Sequence, residues 1–278
     1  MNSIKALPYV MFGINFIAFL AGLFFVTQIL RMYGRNVGLA LFYVILPGFL
    51  CRLLRPIPDV LAWSFVVASL YFYLRKKNMI SAILIIIAML TYEITVIIAL
   101  ALFLYFLFKR DFRKSLLFMM PLAVLFIWQW IIYLIFKCPS FAGYFSAASE
   151  GGIGGGLYVL VPFMGMAKNL SGLFYYKESS FFMMVCLYVA VIFAIAYTLK
   201  VLFKEGVNPI TISLLCYALF AFVYSYYPGP WGFLRILNGL FIMVFLVFAT
   251  SKKKQSLPIP LYLTTIIFFL FTRWVFIL

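Results

Sequence analysis

Apolar residues in this chain gather into long runs at 8–30, 37–51, 60–74, 79–108, 115–136, 180–199, 209–226, 235–250 and 258–277. Short polar punctuators separate them: Arg31 to Arg35, Arg52 to Asp59, Arg75 to Lys77, Lys109 to Lys114, Lys200 to Glu205 and Lys252 to Lys254. A helix that crosses the ~30 Å hydrocarbon core of a bilayer needs about 20 apolar residues. Most of the runs approach or exceed that length, while 37–51 and 60–74 need help from flanking residues. The pattern predicts an all-α, polytopic transmembrane helical bundle of about 8–10 membrane segments. No fixed-period repeat or separate soluble domain interrupts it, so 1–278 reads as a single transmembrane domain. The one long connection, 138–179, carries the glycine-rich stretch Glu150 to Gly156. It reads as an extracytoplasmic loop segment, and without the Lys-Ser/Thr of a Walker loop it is no phosphate cradle of that kind.

The run 79–108 is too long for one ordinary span: as a single helix it would extend about 45 Å. Near its middle stands Thr91-Tyr92-Glu93, the one carboxylate deep inside an apolar run. Charge bias bears on its path. A single crossing would put Arg75, Lys76 and Lys77 on one side and Lys109, Arg110, Arg113 and Lys114 on the other, against the positive-inside rule in either orientation. Two half-helices that meet at Glu93 and return to the same side satisfy the rule. With this broken or re-entrant pair, 138–179 falls outside, Lys200 and Lys204 inside, Tyr227 to Trp231 outside and Lys252 to Lys254 inside. Arg52 and Arg55 then fall outside, against the bias.

Composition changes the meaning of the charge. Residues are 67% hydrophobic and 10% charged, with a mean hydropathy of +1.16, whereas a soluble domain is about a quarter charged. Too little polar surface exists to cover a water-soluble globule. The net charge of +16 would point to nucleic acid in a soluble protein. Here it sits mostly in short loops, where it orients the chain and faces anionic lipid, so no nucleic-acid partner is expected. The chain has no His, and its four cysteines (Cys51, Cys138, Cys186, Cys216) are scattered. No metal, cofactor or disulfide framework is expected from that set.

The ionisable residues that the loops do not absorb lie towards the outer face: Arg52, Arg55, Asp59, Glu93, Lys137 and Arg235. Such residues are costly in a membrane, about 2.5–3.5 kcal/mol each at mid-helix on insertion scales. Arginine presents a planar fork to phosphate oxygens, and lysine a point charge. A carboxylate beside them can take a proton from a hydroxyl acceptor. The set suits transfer from a lipid-linked phosphate. Each residue also has a plainer reading. Arg52 and Arg55 can snorkel to headgroups, Asp59 can favour a helix N-terminus, Glu93 can pair across helices, and Arg235 can anchor the interface beside Trp231. Trp128-Gln129-Trp130 reads as an aromatic belt in which Gln129 can bond across helices.

The order Pro58-Asp59-Val60-Leu61-Ala62, a span, Arg75-Lys76-Lys77, then Leu90-Thr91-Tyr92-Glu93 and a second apolar run resembles the GT-C-type multi-pass membrane glycosyltransferases. Arg235 after an aromatic-rich loop adds to the resemblance, which covers about 50–250. In that superfamily the Thr91–Glu93 element carries a basic residue where Tyr92 stands. The resemblance implies transfer of a sugar from a polyprenyl-phosphate-linked donor at the extracytoplasmic face. It implies Asp59 and Glu93 as catalytic acids or bases, Arg52, Arg55, Lys137 and Arg235 as substrate contacts, and the cytoplasmic membrane of a prokaryote as the location. The family's acidic residue lies in a first outer loop, but no Asp or Glu precedes Asp59. Either Asp59 fills that role, or the portion is supplied elsewhere, by a partner membrane subunit for example. Two alternatives stay open: a non-catalytic membrane subunit of a glycan or polymer assembly complex, and a lipid or solute transporter with Glu93 at a broken helix.

Overall fold

The computed structural model describes residues 2–46, 58–137, 178–223 and 230–251, together with Ile259 and Leu263. Regular structure among them is all helical. The order is α1 (Asn2–Met32), α2 (Leu41–Val44), α3 (Asp59–Leu74), α4 (Asn78–Thr91), α5 (Val96–Phe108), α6 (Phe112–Phe136), α7 (Glu178–Glu205), α8 (Pro209–Val223) and α9 (Pro230–Thr250). Among the described residues two stretches, Pro8–Met32 and Phe112–Phe136, are by length and composition apolar enough to cross a membrane. The runs 138–177 and 47–57 lie outside the described residues, as do Arg52, Arg55 and the glycine-rich stretch.

The helices follow the apolar runs, with one clear departure. The run 37–51 does not form one helix. Asn36 caps a short 3-10 turn, Val37–Ala40, by accepting from the Gly38 N–H at 2.8 Å. The α-helical part then ends at Val44. Pro47 accounts for the stop, because the residue before a proline is driven out of the helical region. Leu46, at that position, is already outside the helix.

At the centre lies α3, with buried residues on all sides, among them Trp63, Val66, Val67 and Leu70. The stretch Leu237 to Ala249 of α9 is likewise buried throughout, as expected for a helix that is apolar all round. Around this centre α1 and α4 pack on α3, α6 packs on both α4 and α5, and α8 joins α5 to α9. The outer faces are the apolar ones. Phe16, Ile17, Leu20 and Phe24 of α1, and Phe126, Ile127, Trp130 and Phe136 of α6, are exposed.

One end of the bundle gathers the basic residues. Tyr73 at the end of α3 meets Phe106 of α5 and Phe118 of α6, at 6.1 and 6.3 Å between ring centres. Tyr73 also shares a cavity of about 490 Å³ with Tyr33, Lys204, Glu205 and Thr250. Arg35 donates to the Ser251 carbonyl at 3.0 Å and stacks 5.0 Å over the Phe248 ring, and Ser251 donates in turn to Glu205. The C-terminal ends of α1, α3, α5, α7 and α9 therefore lie together with the N-terminal ends of α4, α6 and α8. Arg31, Arg35, Arg75 to Lys77, Lys109, Arg110, Arg113, Lys114 and Lys204 all belong to that end.

Candidate functional site

The run 79–108 is divided where the acidic element stands. Tyr92 leaves the helix in an extended conformation (φ −151°, ψ 107°), and Glu93–Thr95 forms a 3-10 turn before α5 begins. Threonines border the break on both sides. The Thr91 hydroxyl donates to the Ile87 carbonyl at 2.7 Å, and the buried Thr95 hydroxyl donates to the Tyr92 carbonyl at 2.9 Å. Such side-chain bonds add a second donor to a backbone carbonyl and compete with the helical ladder. Both arms run back to the basic end, since Lys76 before α4 and Met79 in its first turn line the same cavity as Asp111 and Lys114 after α5.

Glu93 is held at this apex. The Gln129 side-chain amide of α6 donates to Glu93 Oε1 at 2.9 Å, with Gln129 itself buried. Gln129→Ala is expected to lower thermal stability in detergent by about 0.5–2 kcal/mol, as befits a half-buried bond to a carboxylate. Unchanged melting would deny the bond a structural role.

Asp59 opens α3 and is 1% exposed. Anions are favoured there by the unpaired N–H groups of the first turn. Its level in the bundle follows from the antiparallel pairing of α3 and α4. Ser69 Oγ lies 2.8 Å from Ser81 Oγ and donates to the Ser81 carbonyl at 2.9 Å. Counting ten residues up each helix from that pair reaches Asp59 on one and Thr91 on the other. The Glu93–Thr95 turn packs against α3. Asp59 thus stands about level with the break that carries Glu93, well away from the basic loops.

The predicted cations are placed differently. Lys137 is exposed at the end of α6, in a left-handed conformation (φ 53°), its backbone N–H bonded to the Tyr133 carbonyl at 2.8 Å. It lies eight residues past Gln129, about 12 Å of helix rise beyond the carboxylate level. It shares their end of the bundle without joining them. Arg235 falls within α9, with its side chain outside the described residues, as are Arg52 and Arg55.

Three further residues bear on this region. Trp63, one turn after Asp59, is fully buried, and its indole N–H has no acceptor among the described residues. Asn238, one turn after Arg235, is buried with neither amide atom partnered among them. Gly239 lets α9 close on Trp63 and Tyr217. The signal for Asn238 is visible as a lone amide in the apolar run 235–250, while the burial of Trp63 leaves no local trace. A carboxylate in an apolar shell is a group that can accept a proton from a hydroxyl, and Trp63 and Asn238, without partners among the described residues, are groups that can hydrogen-bond one. Compared with protein-family models, curated proteins and solved structures, the chain matches none.

Proposed function

We propose that the chain is a polytopic protein of a prokaryotic cytoplasmic membrane that transfers a sugar from a polyprenyl-phosphate-linked donor at the extracytoplasmic face. The observation that carries this reading is the polarity of the bundle: basic loops at one end, and Asp59 about level with the Glu93 break, well away from them. The positive-inside rule assigns the basic end to the cytoplasm. Membrane residence draws support from the two long apolar stretches, which are only 28% and 17% buried. Core helices of soluble proteins of that hydrophobicity are mostly buried. The 16-residue α3, too short to qualify by length, is buried at the centre of the bundle.

In this reading the acceptor hydroxyl oxygen attacks the anomeric carbon of the sugar. Asp59 takes its proton, and the polyprenyl phosphate leaves with the electron pair of the broken bond. Glu93, held by Gln129, positions the acceptor, and Arg52, Arg55 and Arg235 meet the charge that grows on the phosphate. The test supplies membranes containing the full chain with a panel of radiolabelled polyprenyl-phosphate hexoses. Label is expected to move from the acid-labile lipid into an acid-stable product. Movement of the labelled lipid across the bilayer with no covalent transfer would replace this reading with a transporter.

The burial of Asp59 favours a second reading, since a substrate hydroxyl reaches a 1% exposed carboxylate only after the bundle opens. There Asp59 serves the N-terminus of α3, and the chain is a membrane subunit of a glycan or polymer assembly complex. Co-purification with an obligate partner that performs the transfer would select it.

A further inference from the structure

At the basic end, a cavity of about 630 Å³ opens between the turn before α4 and the first turns of α6. Lys76, Asn78, Asp111, Arg113 and Lys114 contribute its polar lining. Met79, Leu116, Leu117 and Met120 form the rest of the wall, and Met79, Leu116 and Met120 are themselves exposed. The cavity therefore joins a charged rim to the apolar outer surface of the bundle.

The cations of the rim are not equivalent. The Lys114 ammonium lies 2.6 Å from Asp111 Oδ2 and 5.4 Å from the centre of the Phe106 ring. Asp111 also accepts from the Lys114 backbone N–H at 3.2 Å. These two bonds hold the Asp111 carboxyl below the usual carboxylate range, so the acid stays charged and committed to Lys114. Lys76 and Arg113 make no ion pair among the described residues. Two cations without an ion pair of their own, Arg113 acting on Asp111 only at a distance, beside an apolar wall match a ligand with a phosphate at one end and hydrocarbon at the other. A soluble phosphate would leave the methionines and leucines without a partner.

We propose that this cavity binds one anionic phospholipid of the leaflet at the basic end, its phosphate between Lys76 and Arg113 and an acyl chain along Met79, Leu117 and Met120. The inference rests on the membrane reading above, but not on sugar transfer.

The test uses the purified full chain in a neutral detergent, titrated separately with phosphatidylglycerol, phosphatidylcholine and inorganic phosphate, with the thermal midpoint as readout. Phosphatidylglycerol is expected to raise the midpoint, and the other two to leave it unmoved. Lys76→Asn combined with Arg113→Gln is expected to weaken the apparent affinity roughly thirtyfold, as two lost phosphate cations would. Lys109→Gln with Arg110→Asn removes the same charge outside the cavity and is expected to change it by no more than about threefold. The charge-keeping pair Lys76→Arg with Arg113→Lys is expected to retain binding, which separates lost recognition from lost folding. Equal losses in the two neutralised pairs, equal responses to the two lipids, or a full response to phosphate alone would each overturn the proposal. Alkaline carbonate extraction keeps the two readings apart: a chain that stays with the membrane but ignores phosphatidylglycerol refutes the lipid site alone.

Discussion

Asp59→Asn is expected to lower sugar transfer by about 10²–10⁴-fold, the range that a positioned general base contributes, while the amount of chain in the membrane stays unchanged. The substitution suits the question because it removes charge and basicity while keeping shape. An asparagine matches the aspartate in size and leaves no cavity at a position that is 1% exposed. A loss of activity therefore reports chemistry. Glu93→Gln keeps a carbonyl for the Gln129 amide, which donates to Glu93 at 2.9 Å, and is expected to cost less. Transfer at the wild-type rate in Asp59→Asn would remove Asp59 from the reaction. Loss of the chain from the membrane in that variant would favour the purely structural role.

Gly239→Val is expected to abolish folding, or to destabilise the bundle by about 3 kcal/mol or more, at the upper end of what overpacking costs. A Cβ at this position would fall on the Trp63 ring and lie 2.6 Å from Tyr217 Cζ. Both rings are fully buried and packed edge to face, 5.5 Å between centres, so neither has free space to turn into. Relief requires α9 to move off α3 and α8 at the middle of the core. Small residues at helix crossings are what allow such close approach. Gly13→Val is the control, because nothing lies within 4 Å of a Cβ there. Its melting is expected to stay within about 1 kcal/mol of wild type, the cost of ordinary surface change. Normal melting of Gly239→Val would show that α9 does not close on Trp63 as described.

What the chain discloses by reading, and what it withholds, divides along physical lines. Helix positions are legible because apolar runs and basic punctuators repeat on the scale of a span, as α6 at Phe112–Phe136 illustrates against the run 115–136. The division of 79–108 is legible because two basic clusters and one interior carboxylate constrain its path. The stop at Val44 is legible only once Pro47 is weighed against the length of its run. Levels in the bundle are not legible: that Asp59 aligns with Thr91 depends on the Ser69–Ser81 contact, which no periodicity encodes. Nor is the burial of Asp59, since a residue at a helix start reads equally as an exposed cap. Gln129 was legible as a polar residue in an aromatic belt, whereas its partner, Glu93, is 36 residues away in the chain. Lys137 shows the limit of charge alone, because helix rise sets it about 12 Å past the carboxylate level.

The two-sided bundle is tested most directly by cysteine labelling in intact cells. In a chain whose native cysteines have been replaced, Lys76→Cys, Arg113→Cys and Lys137→Cys are probed one at a time with a membrane-impermeant maleimide. Only Lys137→Cys is expected to react before the membrane is opened, and the other two only afterwards. Labelling of Lys76→Cys and Arg113→Cys from opposite sides would contradict the return of both arms to one face, and with it the proposed site.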